Sequence, residues 1–428
     1  MNRTGTPSRL EEFLRRIKSI PGGLAAYWSG KLSGWLQSEK LAEEASALPI
    51  ARDEIRRLRK SALHGQTAFS APQAQTPNEQ SLVASIREET KRFNRNNLTR
   101  TAAYWNVFSR TPELHWAFLA HMVSRNGGWT MTDLKGGLLP RLLSGKRAEA
   151  IFALLERANG LIFQDAYPQL RLYEASIQRK QPLFHLLREF DVSAFMRPVW
   201  EQFWAERNSA LLTVALIVNE QHYIEGRVVQ DGYFRRTVLD TPAFQAQSLL
   251  QMNMIVFPYL AEGNPAALPG PDTAYRLAGL VIEDFTDLHE RIAFGKKLYA
   301  ILFAVPGITR GARDFAAGKP HSGSRADYWP HLFAPVRRHA PAAAYTAKLE
   351  GGLLKPGAEP FYSPKLEYVW PDVSFQPVDR YDWHASCKDA FAWFESPRPP
   401  ASFEITNEYL FSLNKLELAV LAGELLFE

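Results

Sequence analysis

One cysteine, Cys387, in 428 residues excludes any disulfide within the chain. That fits a reducing compartment and argues against a secreted, cross-linked scaffold. Long apolar runs are scarce as well. Spanning a bilayer takes roughly 20 apolar residues, and the best stretches, Ala210–Val218 and Leu298–Pro306, fall well short. Arg3 and Arg9 are not followed by an apolar segment, so the pattern of a cleavable signal is missing. The expected location is cytoplasmic, with a peripheral position at the inner membrane face as the variant.

Several chemistries are struck off by missing motifs. There is no G-x-x-x-x-G-K-[ST] phosphate loop, no G-x-G-x-x-G and no G-x-S-x-G elbow. His289-Glu290 begins like a zinc-protease helix, but Ala293 stands where the second histidine belongs. His384 and Cys387 offer two ligands where structural zinc wants four. No E-x-x-H pair supports a di-iron bundle. These residues predict neither a metal nor a cofactor.

What is present is a large apolar content: 46% hydrophobic and 12% aromatic residues, enough for a sizeable core. The formal charge of +5 is unevenly held. Residues 1–62 carry twelve Lys/Arg and seven Asp/Glu, so the other 366 positions sum to zero. A general nucleic-acid binder would carry its charge on the folded body, so nucleic acid is a disfavoured partner. The mixed Lys91–Arg100 stretch reads as a solvated helix end.

The chain divides into a basic helical arm (1–62), a linker (63–78), a helical core domain (79–345) and an aromatic, irregular C-terminal region (346–428) ending in a helix packed on the core. Within the arm, Leu10, Phe13, Leu14 and Ile17 recur at helical spacing among Arg9, Arg15, Arg16 and Lys18, and Trp28 and Trp35 follow. Such a segment docks on the body or lies on an anionic membrane surface. Further helices are expected near 79–94, 146–158, 168–190, 193–225, 242–260, 272–304 and 405–427. Another starts at Thr111 as N-cap, with Pro112 in the first turn, and stops at Asn126-Gly127-Gly128. Thr130–Asp133 has capping-box form and opens the next. Asp231-Gly232 suggests a hairpin over Arg227–Leu239. Pro/Gly-rich connections fill 261–272 and 349–364. The fold class is mainly α: a large irregular multi-helical array with long loops and at most a minor hairpin.

Polar side chains inside apolar segments are the candidate functional residues, because burying them costs free energy unless something satisfies them. His115, His121, Arg125 and Asn126 sit in one such segment. Arg125-Asn126 could bind an anion or cap carbonyls. After the apolar run from Ala210 come Asn219, Glu220, Gln221, His222, Glu225 and Arg227. A desolvated Glu220 would have a raised pKa and could serve as acid or base; the other reading is a buried strut. Glu283, Asp287 and Glu290 form one helical stripe, an ion-pair network or a cation site. His321, Ser322, Ser324, Arg325 and Asp327 crowd one loop, with Trp329 beyond. Arg325 suits a carboxylate or phosphate and Trp329 an aromatic wall, or else Arg325 and Asp327 merely pin the loop. Arg100 completes the ligand-binding candidates.

The segments NNLTRTAAYW, PELHWAFLAHMVSRNGGWTMTDLKG, ALIVNEQHYIEGRVV, ERIAFGKKLYAILF and HSGSRADYWPHLF resemble the YppC-like family, proteins of unknown function from spore-forming Gram-positive bacteria. The likeness runs from about Asn78 to about Trp383. It implies a bacterial, intracellular-facing protein and transfers no catalytic residue.

Two functions follow from the residues. One is a helical protein that binds a small anionic ligand or a protein partner through a polar pocket in the core. The alternative is a hydrolase or lyase using Glu220 with His115 or His321 as acid and base. A third reading makes the protein peripheral at a membrane through its arm.

Overall fold

The computed structural model describes residues 20–68, 75–242, 244, 253–260, 275–342, 344–374, 378, 380–387 and 389–426. Among them the architecture is mainly helical, with short two-stranded pairings only. The helices used below are α1 (Ile20–Ala42), α2 (Arg52–Ala68), α3 (Pro77–Phe93), α4 (Asn97–Arg110), α5 (His115–Asp133), α6 (Gly145–Arg179), α7 (Met196–Glu206), α8 (Ser209–Ile224), α9 (Leu288–Ala304), α10 (Pro306–Gly318) and α11 (Thr406–Leu426). The strands are β1 (Met254–Tyr259) and β2 (Arg276–Val281), antiparallel, with Met254 opposite Val281 and Tyr259 opposite Arg276.

The centre of the molecule is α5, which touches α4, α6, α8, α9 and β1. Beside it, α8 is buried continuously from Ala210 to Asn219. An apolar surface all round a helix can be satisfied only by neighbours on every side, and α8 has α5, α6, α7 and α9. One large hydrophobic cluster runs from Ile50 to Leu421, so the C-terminal region shares the core of the central domain. The segment after Pro400 closes the β-pair: Gly279 donates to the Phe403 carbonyl, Ile405 donates to that of Leu277, and Thr406 Oγ1 accepts from Leu277 N–H.

Several expected boundaries move, each for a local reason. Thr111 ends α4 instead of starting α5, its hydroxyl donating back to the Val107 carbonyl, and the helix restarts at His115. That helix continues through Asn126-Gly127-Gly128 to Asp133, so no capping box forms at Thr130. The expected helices 146–158 and 168–190 join into α6, which carries Pro168 internally and ends at Lys180 with φ +55°. The span 193–225 breaks between α7 and α8, where Arg207 has φ +56° and Asn208 caps the next helix. Arg227–Leu239 is not a hairpin; Asp231 accepts from Tyr233 and Phe234 N–H and caps a short helical turn. Thr76 and Glu79 form a capping box at α3, shortening the linker.

Residues 254–259 and 276–281, expected to be helical, are strands; the bulky Val256 and Phe257 lie opposite the small Gly279 and Ala278. Glu283, Asp287 and Glu290 do not share a helix: only Glu290 lies within α9. Asp287 is the N-cap of α9 and Glu290 accepts N–H groups from Glu283 and Asp284. The periodic segment 9–18, residues 243 and 245–252 of the expected helix 242–260, and the connection 261–272 fall outside the described residues.

Among the described residues no single helix is long and apolar enough to cross a membrane. Together α9 and α10 reach the required length and composition, but they meet at a 91° bend and their apolar residues are buried inside the fold.

Candidate functional site

His121, Arg125 and Trp129 are spaced four residues apart on α5 and therefore share one stripe. The stripe faces the loop 319–330, which the short helical turn Arg325–Asp327 folds back on itself. Gly128 lets the two surfaces meet. A Cβ there would lie 2.4 Å from Asn97 Oδ1 and 2.5 Å from His321 Nε2, the two atoms that hydrogen-bond each other at 2.8 Å. Gly128 is thus a close-approach device inside a continuous helix. Substituting Gly128→Ala forces these groups apart; we expect a loss of about 1–3 kcal/mol, as for overpacked cores, read from urea unfolding midpoints. Gly226→Ala is the control, since nothing lies within 4 Å of a Cβ there; equal behaviour of the two variants would contradict the close-approach role.

The loop delivers Asp327, held by the backbone and hydroxyl of Ser322 and, at 3.3 Å, by Trp129 Nε1. Burial pushes its carboxyl up, but His321 and the Ser322 donors outweigh that and leave it below its ordinary value. Asp327 is therefore an anion with donors of its own.

Arg125 is different. It is fully buried, and none of its three nitrogens has a hydrogen-bond acceptor. Asp327 Oδ2 lies 3.9 Å away, at ion-pair distance only. The guanidinium instead lies over aromatic rings, 4.3 Å from the centre of Phe315 and 5.8 Å from that of Trp129. Burial lowers its pKa to about 10, still well above neutral, so it remains a cation. Half-exposed Tyr275 also faces it.

Two imidazoles complete the cluster. His121 is bonded through Nδ1 to the Thr101 carbonyl at 2.9 Å, which requires Nδ1 to donate. Burial, then Arg125, holds its pKa well below the ordinary value, so the ring is neutral and Nε2 is a bare, unpartnered acceptor. His321 donates from Nε2 to Asn97 Oδ1, while burial lowers its pKa despite Asp327. Its Nδ1, 3.6 Å from Asp327, has no hydrogen bond. The cluster thus holds several unmatched N–H donors on one cation and two unmatched imidazole lone pairs. Buried polar groups are normally satisfied, so this density of orphans at one place is an anomaly of the fold.

The remaining candidates have partners elsewhere. Asn126 is structural: its amide accepts from Val256 N–H and donates to the Val256 carbonyl, both at 2.8 Å, clamping α5 to β1. Arg325 pairs with Asp133, not Asp327, and lines an apolar cavity of about 80 Å³ with Tyr409 and Met254. Ser324 bonds the Ser363 carbonyl, and Trp329 is core, donating to the Tyr275 carbonyl. Arg100 pairs with Glu156 at the edge of a hollow of about 250 Å³ that also reaches Arg157. Glu225 pairs with buried Arg291.

Glu220 accepts from Trp116 Nε1 at 3.0 Å and from Gln221, and burial raises its pKa to about 8. Asp165, which bonds Asn219 and Gln169, is raised to about 7 by burial. Asn219 is further fixed by Trp383. His115 bonds Tyr299 at 2.9 Å and stacks on Phe303; burial lowers its pKa to about 4. No hydrogen bond or ring contact joins Glu220 to His115 or His321. The structure therefore brings His121, Arg125, His321 and Asp327 together and leaves Glu220 and His115 apart from them. Among the described residues no three His, Cys, Asp or Glu side chains converge as a metal-ligand set.

Sequence reasoning missed Asn97, Trp129 and Phe315 as members of the cluster, and Asp165 as the partner of Asn219. The four-residue spacing of His121, Arg125 and Trp129 was the available signal, hidden by ending the helix at Gly127-Gly128.

Residues 92–412 match a protein family described as "Protein of unknown function (DUF2515)". The chain is 35% identical over 338 residues to "Uncharacterized protein YppC" of Bacillus subtilis (strain 168), covering 78% of this chain and 93% of that one. No solved structure matches.

Proposed function

The chain belongs to the DUF2515 family, and from that footing we propose that its helical core binds a small oxyanion at the buried polar cluster between α5 and the loop 319–330. The supporting observation is Arg125: a buried cation with no hydrogen-bond acceptor. A guanidinium in that state carries a desolvation cost that Asp327 at ion-pair distance and the aromatic rings offset only in part, and an anionic ligand with paired oxygens removes the remainder. The two imidazole lone pairs narrow the chemistry further. They ask for donors, so the favoured ligand carries an O–H or N–H beside its anionic oxygens. Hydrogen phosphate and hydroxycarboxylates qualify; sulfate and acetate lack the donor at neutral pH.

Binding raises stability by RT ln(1 + [L]/Kd), about 2.7 kcal/mol at a hundredfold excess over Kd. The test is a thermal-unfolding titration of the full chain with inorganic phosphate, lactate, sulfate and acetate at constant ionic strength. The expected outcome is a concentration-dependent rise with phosphate or lactate that exceeds the effect of sulfate and acetate. Equal responses to all four salts, or none, would remove the reading.

A further inference from the structure

A hollow of about 250 Å³ lies over one stripe of α6 and shares no residue with the Arg125 cluster. Phe152, Glu156, Gly160 and Gln164, four residues apart, form a row along its floor. Its polar wall is fixed by its own hydrogen bonds. Buried Arg100 donates to Glu156 Oε2 at 2.5 Å and to Asn94 Oδ1 at 3.1 Å, leaving its Nε without an acceptor. Asn94 in turn donates to the Gly160 carbonyl at 2.9 Å. Phe152 is held by stacking on Trp370, with ring centres 3.9 Å apart and planes 4° from parallel. Arg157, the next residue along the helix, is different. It is half-buried and lines the hollow, yet it has no hydrogen bond or ion pair to any described residue. The Gln164 amide also has none. The hollow thus joins a preformed wall and apolar surface to one cation and one amide that are still available.

Size, charge and lining together select an occupant. A void of about 150 Å³ is enough for benzene, so this one has room for a six-membered ring with a carboxyl group attached. Among its charged lining residues, Arg100 and Arg157 stand against Glu156 alone, a net single positive charge. A monoanion matches that charge, whereas a phosphate ester dianion would set its second charge beside the Glu156 carboxylate. The planar fork of Arg157 suits a carboxylate, which it can hold through two parallel hydrogen bonds. Phe152, Leu161 and Phe234 offer apolar surface to a ring, and Gln164, both donor and acceptor, suits a ring hydroxyl. We propose that the hollow between α4 and α6 binds a monocyclic aromatic carboxylate, its carboxylate on Arg157 and its ring against Phe152, Leu161 and Phe234. This site does not depend on the buried oxyanion cluster.

The test is calorimetric titration of the full chain with benzoate and 4-hydroxybenzoate. Acetate supplies the charge without the ring, benzyl alcohol the ring without the charge, and phenyl phosphate the ring with a second charge. At least one of the two benzoates is expected to bind, and all three comparison compounds more weakly than it does. Arg157→Gln should weaken that binding about tenfold to a hundredfold. Its unfolding midpoint should not move, because Arg157 has no partner among the described residues to lose. A Cβ at Gly160 meets only Asn94 Oδ1 at 3.5 Å and Arg100 Nη1 at 3.8 Å, both ordinary contacts. Gly160→Leu should therefore occupy the hollow and block the titration. Arg125→Met should bind benzoate as the wild type does, which separates this site from the oxyanion cluster. Absence of binding by both benzoates, equal binding of acetate, or tighter binding of phenyl phosphate would overturn the proposal. So would wild-type affinity in Arg157→Gln or Gly160→Leu. Loss of benzoate binding in Arg125→Met would assign the ligand to the other cluster and overturn it as well.

Discussion

Replacing Arg125 by Met is expected to make the unliganded protein more stable while abolishing its response to oxyanions. The two effects come from one cause. An uncompensated buried charge costs about 3–5 kcal/mol. The aromatic stacking on Phe315 and the distant Asp327 return about 1–2 kcal/mol of that. Methionine keeps much of the volume and apolar contact and removes the charge, so the net gain should be about 1–3 kcal/mol. Asp327 does not become an orphan in the variant, because Ser322 and Trp129 still donate to it. The opposed signs make the test discriminating. A purely structural arginine would lose stability on substitution, and a ligand anchor should gain it in the absence of ligand. Urea unfolding with and without phosphate measures both quantities. A variant that is destabilised, or that still responds to phosphate as the wild type does, would remove Arg125 from the binding role. His121→Phe provides a graded companion: it removes one of the two unmatched lone pairs and should weaken the discrimination between phosphate and sulfate, while the cation stays in place.

How far the sequence discloses this can be read from α5. His121 and Arg125 were visible as polar intruders in an apolar segment, and the physics behind that suspicion holds: both lie buried with unmatched atoms. Their meeting with His321 and Asp327 was not legible, because those residues stand about 200 positions away and tertiary adjacency leaves no periodicity. The helical class was legible from apolar spacing. The strand pair was not, since 254–259 and 276–281 are short apolar runs whose length and burial suit either a helix segment or a strand. Gly127-Gly128 misled for a physical reason. Glycine ends helices when it supplies a left-handed conformation, but here it supplies space, and a sequence alone does not distinguish the two uses. Glu220 gives the reverse case. Its place at the end of the apolar α8 run foretold desolvation, and burial does raise its pKa; the same sequence gave no hint that Asp165, from α6, sits close enough to raise it further.

That pair fixes the second large expectation: a loss of stability toward alkaline pH that Glu220→Gln largely removes. The folded pKa of Glu220 is about 8 against an ordinary 4.5, and that of Asp165 about 7 against 3.8, burial being the main cause in both. Protonated carboxyls are therefore favoured by the native state. Their contribution is complete below the ordinary value and is lost as pH rises to the folded one. The neutral histidines act in the opposite sense. His115, with a folded pKa of about 4, contributes stability above 6.5 that is lost as pH falls, and His121 follows the same direction. The two effects oppose each other below pH 6.5 and largely offset. Above 6.5 only the carboxyls still titrate, so the net decline should appear between pH 6.5 and 9. One pKa unit corresponds to about 1.4 kcal/mol, and allowing for solvent at the edge of Glu220 the full effect of this residue is on the order of 2–4 kcal/mol. Glutamine keeps an acceptor for Trp116 and carries no proton to lose, so the variant should match the wild type near pH 5 and exceed it at pH 9. Urea unfolding at pH 5, 7 and 9 reads the comparison directly. Parallel declines in the two proteins would mean that Glu220 is already ionised in the native state.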